Sequence, residues 1–309
     1  MSGMYVRSGE LCFRVVSEWV KMPGHMPALP VAGVACTKDG WLYAITRNHE
    51  HPIVEFDPEG QYVKTLGVHL QFGSEHGISV SPDNCLWVCD SARHVVYKIT
   101  RDGEVVRRLG TLDVSCQNGF DPDVPYPHNL YMVTRLGEPF NLPTGAVEAD
   151  DGMIYCSDGY GNAAVHAFDP QGKHVLSFGG PGNAPDKFRL PHSVWLDGQD
   201  RLWVADRDNY RVKVFDRVGN VVRCFDPVYP RGTMYGPSTL WGDDRRIYVG
   251  QNSIGILVFD QKALARECIL EAPFGSSILG HSLCGDRTGN LYIGHLNPSP
   301  MISRRERIK

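Results

Sequence analysis

Three histidines occupy one position of a recurring segment. Residues 76–90 read "HGISVSPDNCLWVCD", residues 192–206 read "HSVWLDGQDRLWVAD", and residues 281–295 read "HSLCGDRTGNLYIGH". Three further copies open on small residues: Ala32 in "AGVACTKDGWLYAIT", Thr144 in "TGAVEADDGMIYCSD" and Ser238 in "STLWGDDRRIYVGQN". Histidine therefore takes the second, fourth and sixth copies. A lone histidine at the start of a strand usually packs or caps. Three neutral imidazoles converging at threefold spacing, with a fourth position open, make a catalytic zinc site. Iron or copper can use the same ligands. The plainer alternative is three unrelated histidines bonded to water.

Two other positions carry chemistry. The residue just after the repeat is arginine in the first and fourth copies, Arg47 and Arg207. Guanidinium groups there suit a carboxylate, which they bind bidentately; the plainer use is a surface salt bridge. Arg211 and Lys213, on the following strand, read as solvated. In the third copy the same segment is "SDGYGN", residues 157–162, with Tyr160 between two glycines in a tight turn. A phenol beside a divalent metal and arginines can act as a base, and otherwise serves as an aromatic lid.

The elements that must position these groups are strands. Short β-rich runs alternate with Gly, Asp, Asn and Pro turns, and helical periodicity is nearly absent, which predicts an all-β fold. Each copy is a strand, a polar turn and a second strand. Most are followed by a third strand and a turn, as in "PIVEFDPEGQYVKTLG" and "VHAFDPQGKHVLSFGG". Four strands per unit at a spacing in the forties predicts a six-bladed β-propeller filling residues 1–309 as a single domain. After "NLYIGH" little chain is left, so a strand at about residues 10–20 is expected to join the last blade and close the ring. Residues 111–139, "TLDVSCQNGFDPDVPYPHNLYMVTRLGEP", lengthen one step of the repeat. Long loops in compact domains are usually functional, and this one is read as a channel cover, with a decorative insertion as the alternative.

Bulk composition narrows the class. A net charge of −4 offers no basic surface for nucleic acid. The start, "MSGMYVRSGELCFRVV", lacks a basic end followed by an apolar run, and no apolar segment is long enough to span a bilayer. The nine cysteines form no CxxC pair and read as reduced thiols. A cytoplasmic protein without membrane or nucleic-acid partners is the expectation.

The pattern resembles the peptidyl-α-hydroxyglycine α-amidating lyase family, six-bladed propellers of NHL-type repeats. The likeness is strongest over 140–225, in "FNLPTGAVEADDGMIYCSDGYGN", "LPHSVWLD" and "LWVADRDNYRVKVFD". It extends to "EHGISVSPDNCLWVCDSARHVVYKI" and, more weakly, to "GHSLCGDRTGNLYIG". The resemblance implies that His76, His192 and His281 bind catalytic zinc and that Tyr160 is the catalytic tyrosine; on ligand chemistry alone Fe2+ is the other ion expected there. It implies that Arg207, and less closely Arg47, are the active-site arginines. The family splits an N-acyl-α-hydroxyglycine into an amide and glyoxylate, so a small-molecule carboxylate is the expected partner.

Departures are specific. The family has Pro-His-Asp at its last zinc histidine, and that Asp helps hold a structural Ca2+. Here Ser282 stands in its place. Half-cystines of secreted members are replaced by Gly161 and Trp203, and His295 replaces the usual end-of-repeat Asp. Together with the 111–139 insertion these point to a small carbinolamide or similar hydroxy acid as substrate. The rivals are a propeller hydrolase, lactonase or hydratase acting on a small hydroxy acid, and a non-catalytic NHL interaction module. Lactonases of this scaffold use carboxylate and Asn metal ligands, whereas the register here holds His and no Glu. A module would need no metal and would carry a basic or aromatic patch.

Overall fold

A computed structural model describes residues 4–226, 236–251, 255–271, 280–297 and 299–308. The chain opens with a hairpin, β1 (Tyr5–Ser8) and β2 (Leu11–Val16). Blade one is β3 (Gly33–Cys36), β4 (Leu42–Ile45), β5 (Ile53–Phe56) and β6 (Tyr62–Leu66). Blade two is β7 (Glu75–Val80), β8 (Leu86–Asp90), β9 (Val95–Ile99) and β10 (Val105–Leu109). Blade three is β11 (Pro143–Glu148), β12 (Ile154–Asp158), β13 (Ala164–Phe168) and β14 (His174–Gly179). Blade four is β15 (Pro191–Leu196), β16 (Leu202–Asp206), β17 (Arg211–Phe215) and β18 (Val221–Phe225). Blade five is β19 (Thr239–Gly242), β20 (Arg246–Gln251), β21 (Gly255–Asp260) and β22 (Ala265–Glu271). Blade six is β23 (Gly280–Gly285), β24 (Leu291–His295) and β25 (Ile302–Arg307), and its sheet continues through β2 to β1. These six antiparallel sheets make a six-bladed β-propeller.

By compactness the chain divides into two units, residues 72–238 and residues 1–71 with 239–309. The first unit holds blades two, three and four. Their first strands β7, β11 and β15 pack side by side. Its cores gather the middle strands: Trp87, Cys89, Val96, Ile154 and Phe168 in one cluster, Tyr155, Val165, Leu202, Val204 and Phe215 in another. The second unit holds blades one, five and six, with clusters around Leu42, Val54, Phe56 and Tyr292 and around Phe13, Val258, Leu270 and Leu291. Within it, β2 pairs with β25 in the register Phe13↔Arg307 to Val16↔Arg304, which puts both ends of the chain in one sheet.

Local chemistry explains the repeat. A turn aspartate opens the link to the last strand in several blades. Asp57 Oδ1 accepts the backbone N–H groups of Glu59 and Gln61, and Asp169 Oδ1 those of Gln171 and Lys173. Asp216 does the same, and Asp286 does so in the link from β23 to β24. Such side chains stabilise a turn that then needs a residue of positive φ, supplied by Gly60 at 81° and Gly172 at 83°. A second aspartate ends the middle strand of blades two, three and four: Asp90, Asp158 and Asp206, all fully buried. Each accepts backbone N–H groups from the loop that leads into its own blade, at Gly73 and Ser74, Asn141, and Arg189 and Leu190 respectively.

Asp206 also corrects the reading of Arg211 and Lys213 as solvated. Both are buried, with Arg211 Nε 3.0 Å and Lys213 Nζ 3.3 Å from Asp206 Oδ2. A fully buried carboxylate needs compensating charge, and the next strand supplies it. Burial pulls Lys213 down to about 8, against the raising effect of Asp206.

Candidate active site

In four blades the first repeat position falls on a register shift. Pro191 pairs with Asp206 and Ser193 with Ala205, so His192 is left out of the ladder. The same irregularity leaves out Thr144 in blade three, His76 and Gly77 in blade two, and His281 in blade six. A bulge re-aims a side chain at the end of a strand, and here it does so at the repeat position that carries histidine. His76, His192 and His281 are all buried.

Each imidazole is fixed through Nδ1. His76 Nδ1 donates to the carbonyl of Thr144 at 2.8 Å, and His192 Nδ1 to that of Ser238 at 2.5 Å. His281 Nδ1 donates to the carbonyl of Ala32 at 2.6 Å. In every case the acceptor is the first repeat residue of the following blade. A carbonyl only accepts, so Nδ1 carries the proton and Nε2 presents a lone pair. This is the orientation in which metal-ligating histidines are held by an outer hydrogen bond. Gly77 lets β7 approach closely enough: a Cβ there would lie 2.3 Å from the Thr144 oxygen.

Within residues 72–238 the ligand nitrogens of His76 and His192 lie within 4.8 Å of each other. Between them stands Tyr160, half-buried, in the turn after β12. Its Oη is 3.1 Å from His76 Nε2 and 2.9 Å from His192 Nε2. Both imidazole rings hold Nδ1 on a backbone carbonyl and turn Nε2 inward, a donor set that fits a metal ion.

The turn that holds Tyr160 is confined. A Cβ on Gly159 would meet the Pro191 carbonyl oxygen at 2.4 Å, and one on Gly161 would meet Asn141 Oδ1 at 2.4 Å. Gly161 N donates to the Asn141 carbonyl at 3.0 Å, and the Gly161 carbonyl accepts from Asn118 Nδ2 at 2.8 Å.

Arg207 follows β16 and is 7% exposed. Its Nη1 donates to Tyr160 Oη at 3.2 Å, its Nη2 to Tyr126 Oη at 3.1 Å, and its Nε to Asp208 Oδ2 at 3.1 Å. Burial opposes its charge, but the Tyr160 oxygen and the Asp208 carboxylate outweigh that and raise its pKa above the ordinary value. Tyr126 is pushed up by burial and keeps its proton, which it donates to Asp208 Oδ1 at 2.7 Å.

The structure thus brings His76, His192, Tyr160 and Arg207 together inside one unit. His281 and Arg47 belong to the other unit. Arg47 comes just after β4, exposed, at φ 57°. Sequence reasoning passed over Tyr126 and Asp208. Asp208 stood next to Arg207 in "ADRDN"; Tyr126 was one aromatic among several in the insertion and carried no distinguishing signal.

The fold places the chain in the class of six-bladed β-propellers. Residues 188–215, which carry both His192 and Arg207, match the NHL repeat. Over part of its length the chain is similar to peptidyl-α-hydroxyglycine α-amidating lyases. NHL repeat-containing protein 3 of Homo sapiens is 25% identical, over 94% of this chain and 83% of that protein. A probable peptidyl-alpha-hydroxyglycine alpha-amidating lyase of Caenorhabditis elegans is 30% identical over 60% of this chain, which spans about half (55%) of the nematode protein. A solved structure of streptogramin B lyase superposes with a TM-score of 0.63 at 12% identity, covering 96% of this chain and 98% of that one. At that identity the likeness is one of fold. Among the described residues no helix is long and apolar enough to cross a membrane.

Proposed function

We propose that the protein is a metal-dependent lyase that cleaves the C–N bond of an N-acyl-α-hydroxyglycine-like carbinolamide, releasing an amide and glyoxylate or a similar oxo acid. The observation that carries this is Tyr160 Oη, within hydrogen-bond distance of His76 Nε2, His192 Nε2 and Arg207 Nη1 at once. A phenol is thereby set between two metal-ligand nitrogens and a carboxylate anchor.

His281 is the proposed third ligand. Support comes from its shared register position, its bulge and its Nδ1 bond to the next blade's first residue. Zinc is the proposed ion, with Fe2+ as the alternative. A divalent ion held by three imidazoles supplies Lewis-acid polarisation of a substrate oxygen. Arg207 holds the substrate carboxylate, and Arg47 is proposed as its second anchor. Tyr160, acting as the phenolate, accepts the proton of the carbinol hydroxyl. The oxygen's electron pair closes to a carbonyl, the C–N bond breaks, and the departing amide nitrogen takes up the proton from Tyr160. Atoms balance as one carbinolamide giving one amide and one oxo acid. Cytoplasmic residence is part of the proposal and rests on nine cysteines that are unpaired thiols.

The test is elemental analysis of the purified chain alongside a glyoxylate assay on the same sample. About one zinc per chain, with glyoxylate released from N-acyl-α-hydroxyglycines, is the expected result. No release across several acyl groups would remove the assignment.

A further inference from the structure

We propose that Tyr126 is a positioning residue that sets selectivity for carboxylate substrates by fixing, with Asp208, the plane of the Arg207 guanidinium. The inference rests on the carboxylate-anchoring role of Arg207 proposed above.

Tyr126 belongs to residues 111–139, the segment that interrupts the blade repeat, and reaches Arg207 across 81 residues of sequence. The three groups close a ring. Arg207 Nη2 donates to Tyr126 Oη, Tyr126 Oη donates to Asp208 Oδ1, and Arg207 Nε donates to Asp208 Oδ2. With Nη1 on Tyr160, the guanidinium has a partner on all three nitrogens. An arginine has five N–H groups. Using one on each nitrogen leaves one on Nη1 and one on Nη2, the number a carboxylate needs for a two-point grip. The rings of Tyr126 and Tyr160 flank the cation, with centroids 5.6 Å and 5.3 Å from Cζ. A long side chain held this way loses little freedom when substrate arrives, which is how preorganisation strengthens binding.

The segment itself is secured elsewhere. Asn118 Nδ2 holds the Gly161 carbonyl, Cys116 N donates to the Phe140 carbonyl, and Asn118, Leu130 and Val133 are buried. Tyr126 is 44% exposed, so removing its hydroxyl deletes the two bonds of the ring without unpacking the loop.

The experiment compares wild type with Tyr126→Phe, as full zinc-loaded chains, on N-benzoyl-α-hydroxyglycine and its methyl ester, following benzamide release. The variant is expected to raise KM for the acid roughly tenfold, the scale of one hydrogen bond to a charged group, with kcat within about twofold. Its preference for acid over ester should fall by the same factor, because the ester offers no carboxylate to grip. Asp208→Asn, which keeps the shape and weakens the ring, should shift the ratio in the same direction. A purely structural role would slow both substrates equally and leave the ratio unchanged, and that result overturns the inference alone. A zinc-loaded wild type that releases no benzamide overturns the parent reading and this one with it.

Discussion

Tyr160 Oη lies 2.9 Å from His192 Nε2, although the two residues come from different blades. That contact turns Nε2 toward the phenol oxygen while the ring's Nδ1 donates on the far side to the Ser238 carbonyl. His192 is thereby held in one orientation, with Nε2 facing Tyr160.

His192→Ala should remove the metal. The substitution takes away one of three proposed ligands and leaves the Ser238 carbonyl without its donor, at a cost of about 1–3 kcal/mol. Zinc affinity should drop at least about a hundredfold, seen by elemental analysis after dialysis, while the far-UV circular dichroism stays that of a β protein. Full zinc retention would show that His192 packs and does not ligate.

Tyr160→Phe should separate binding from chemistry. The ring contacts remain, including the edge contact with His76 at 5.0 Å, and only the hydroxyl is lost. Turnover should fall about a hundred- to ten-thousandfold, the range for losing an acid–base group, with metal content unchanged. If the variant kept full kcat, Tyr160 would not be the base.

Gly159→Ala should move the tyrosine without touching it. The new Cβ would lie 2.4 Å from the Pro191 carbonyl oxygen, and backbone must shift to admit it, at about 1–3 kcal/mol. A displacement on the order of 1 Å can lower kcat about a hundredfold. Gly24→Ala is the control, because nothing lies within 4 Å of its added methyl. Equal turnover in both variants would show that the turn is not a constraint on the chemistry.

Asp158→Ala should unfasten the loop that supports the same turn. Its carboxylate accepts from Asn141 N at 2.7 Å and Asn162 Nδ2 at 2.9 Å, and contacts His166 Nε2 at 3.3 Å. Those buried donors would lose their acceptor, at about 1–3 kcal/mol for each group left unpaired. Calorimetry should record a Tm lower by roughly 5–10 °C. An unchanged Tm would mean that other groups hold the loop.

Much of this was legible in the residues. Strand alternation, turn aspartates and the shared repeat position of His76, His192 and His281 mark a six-bladed propeller and a shared register, because each blade solves the same local problem with the same turn chemistry. "SDGYGN" and "ADRDN" likewise mark a tyrosine turn and an arginine beside an acid. The reading failed at Arg211 and Lys213. Charge on a strand usually faces water, and nothing local revealed that Asp206 was buried beside them.

Tertiary structure decided the rest. A bulge depends on how two strands pair, so the left-out position of His192 between Pro191 and Ser193 has no signature in a string of residues. The tautomer of each histidine is set by a carbonyl of the next blade, some 46 residues away for His192 and 68 for His76. Tyr126 reaches Arg207 from an insertion that breaks the repeat. Local sequence determines turns and strands, since those bonds close within a few residues. The site is made of bonds between blades, and only the folded chain brings their partners together.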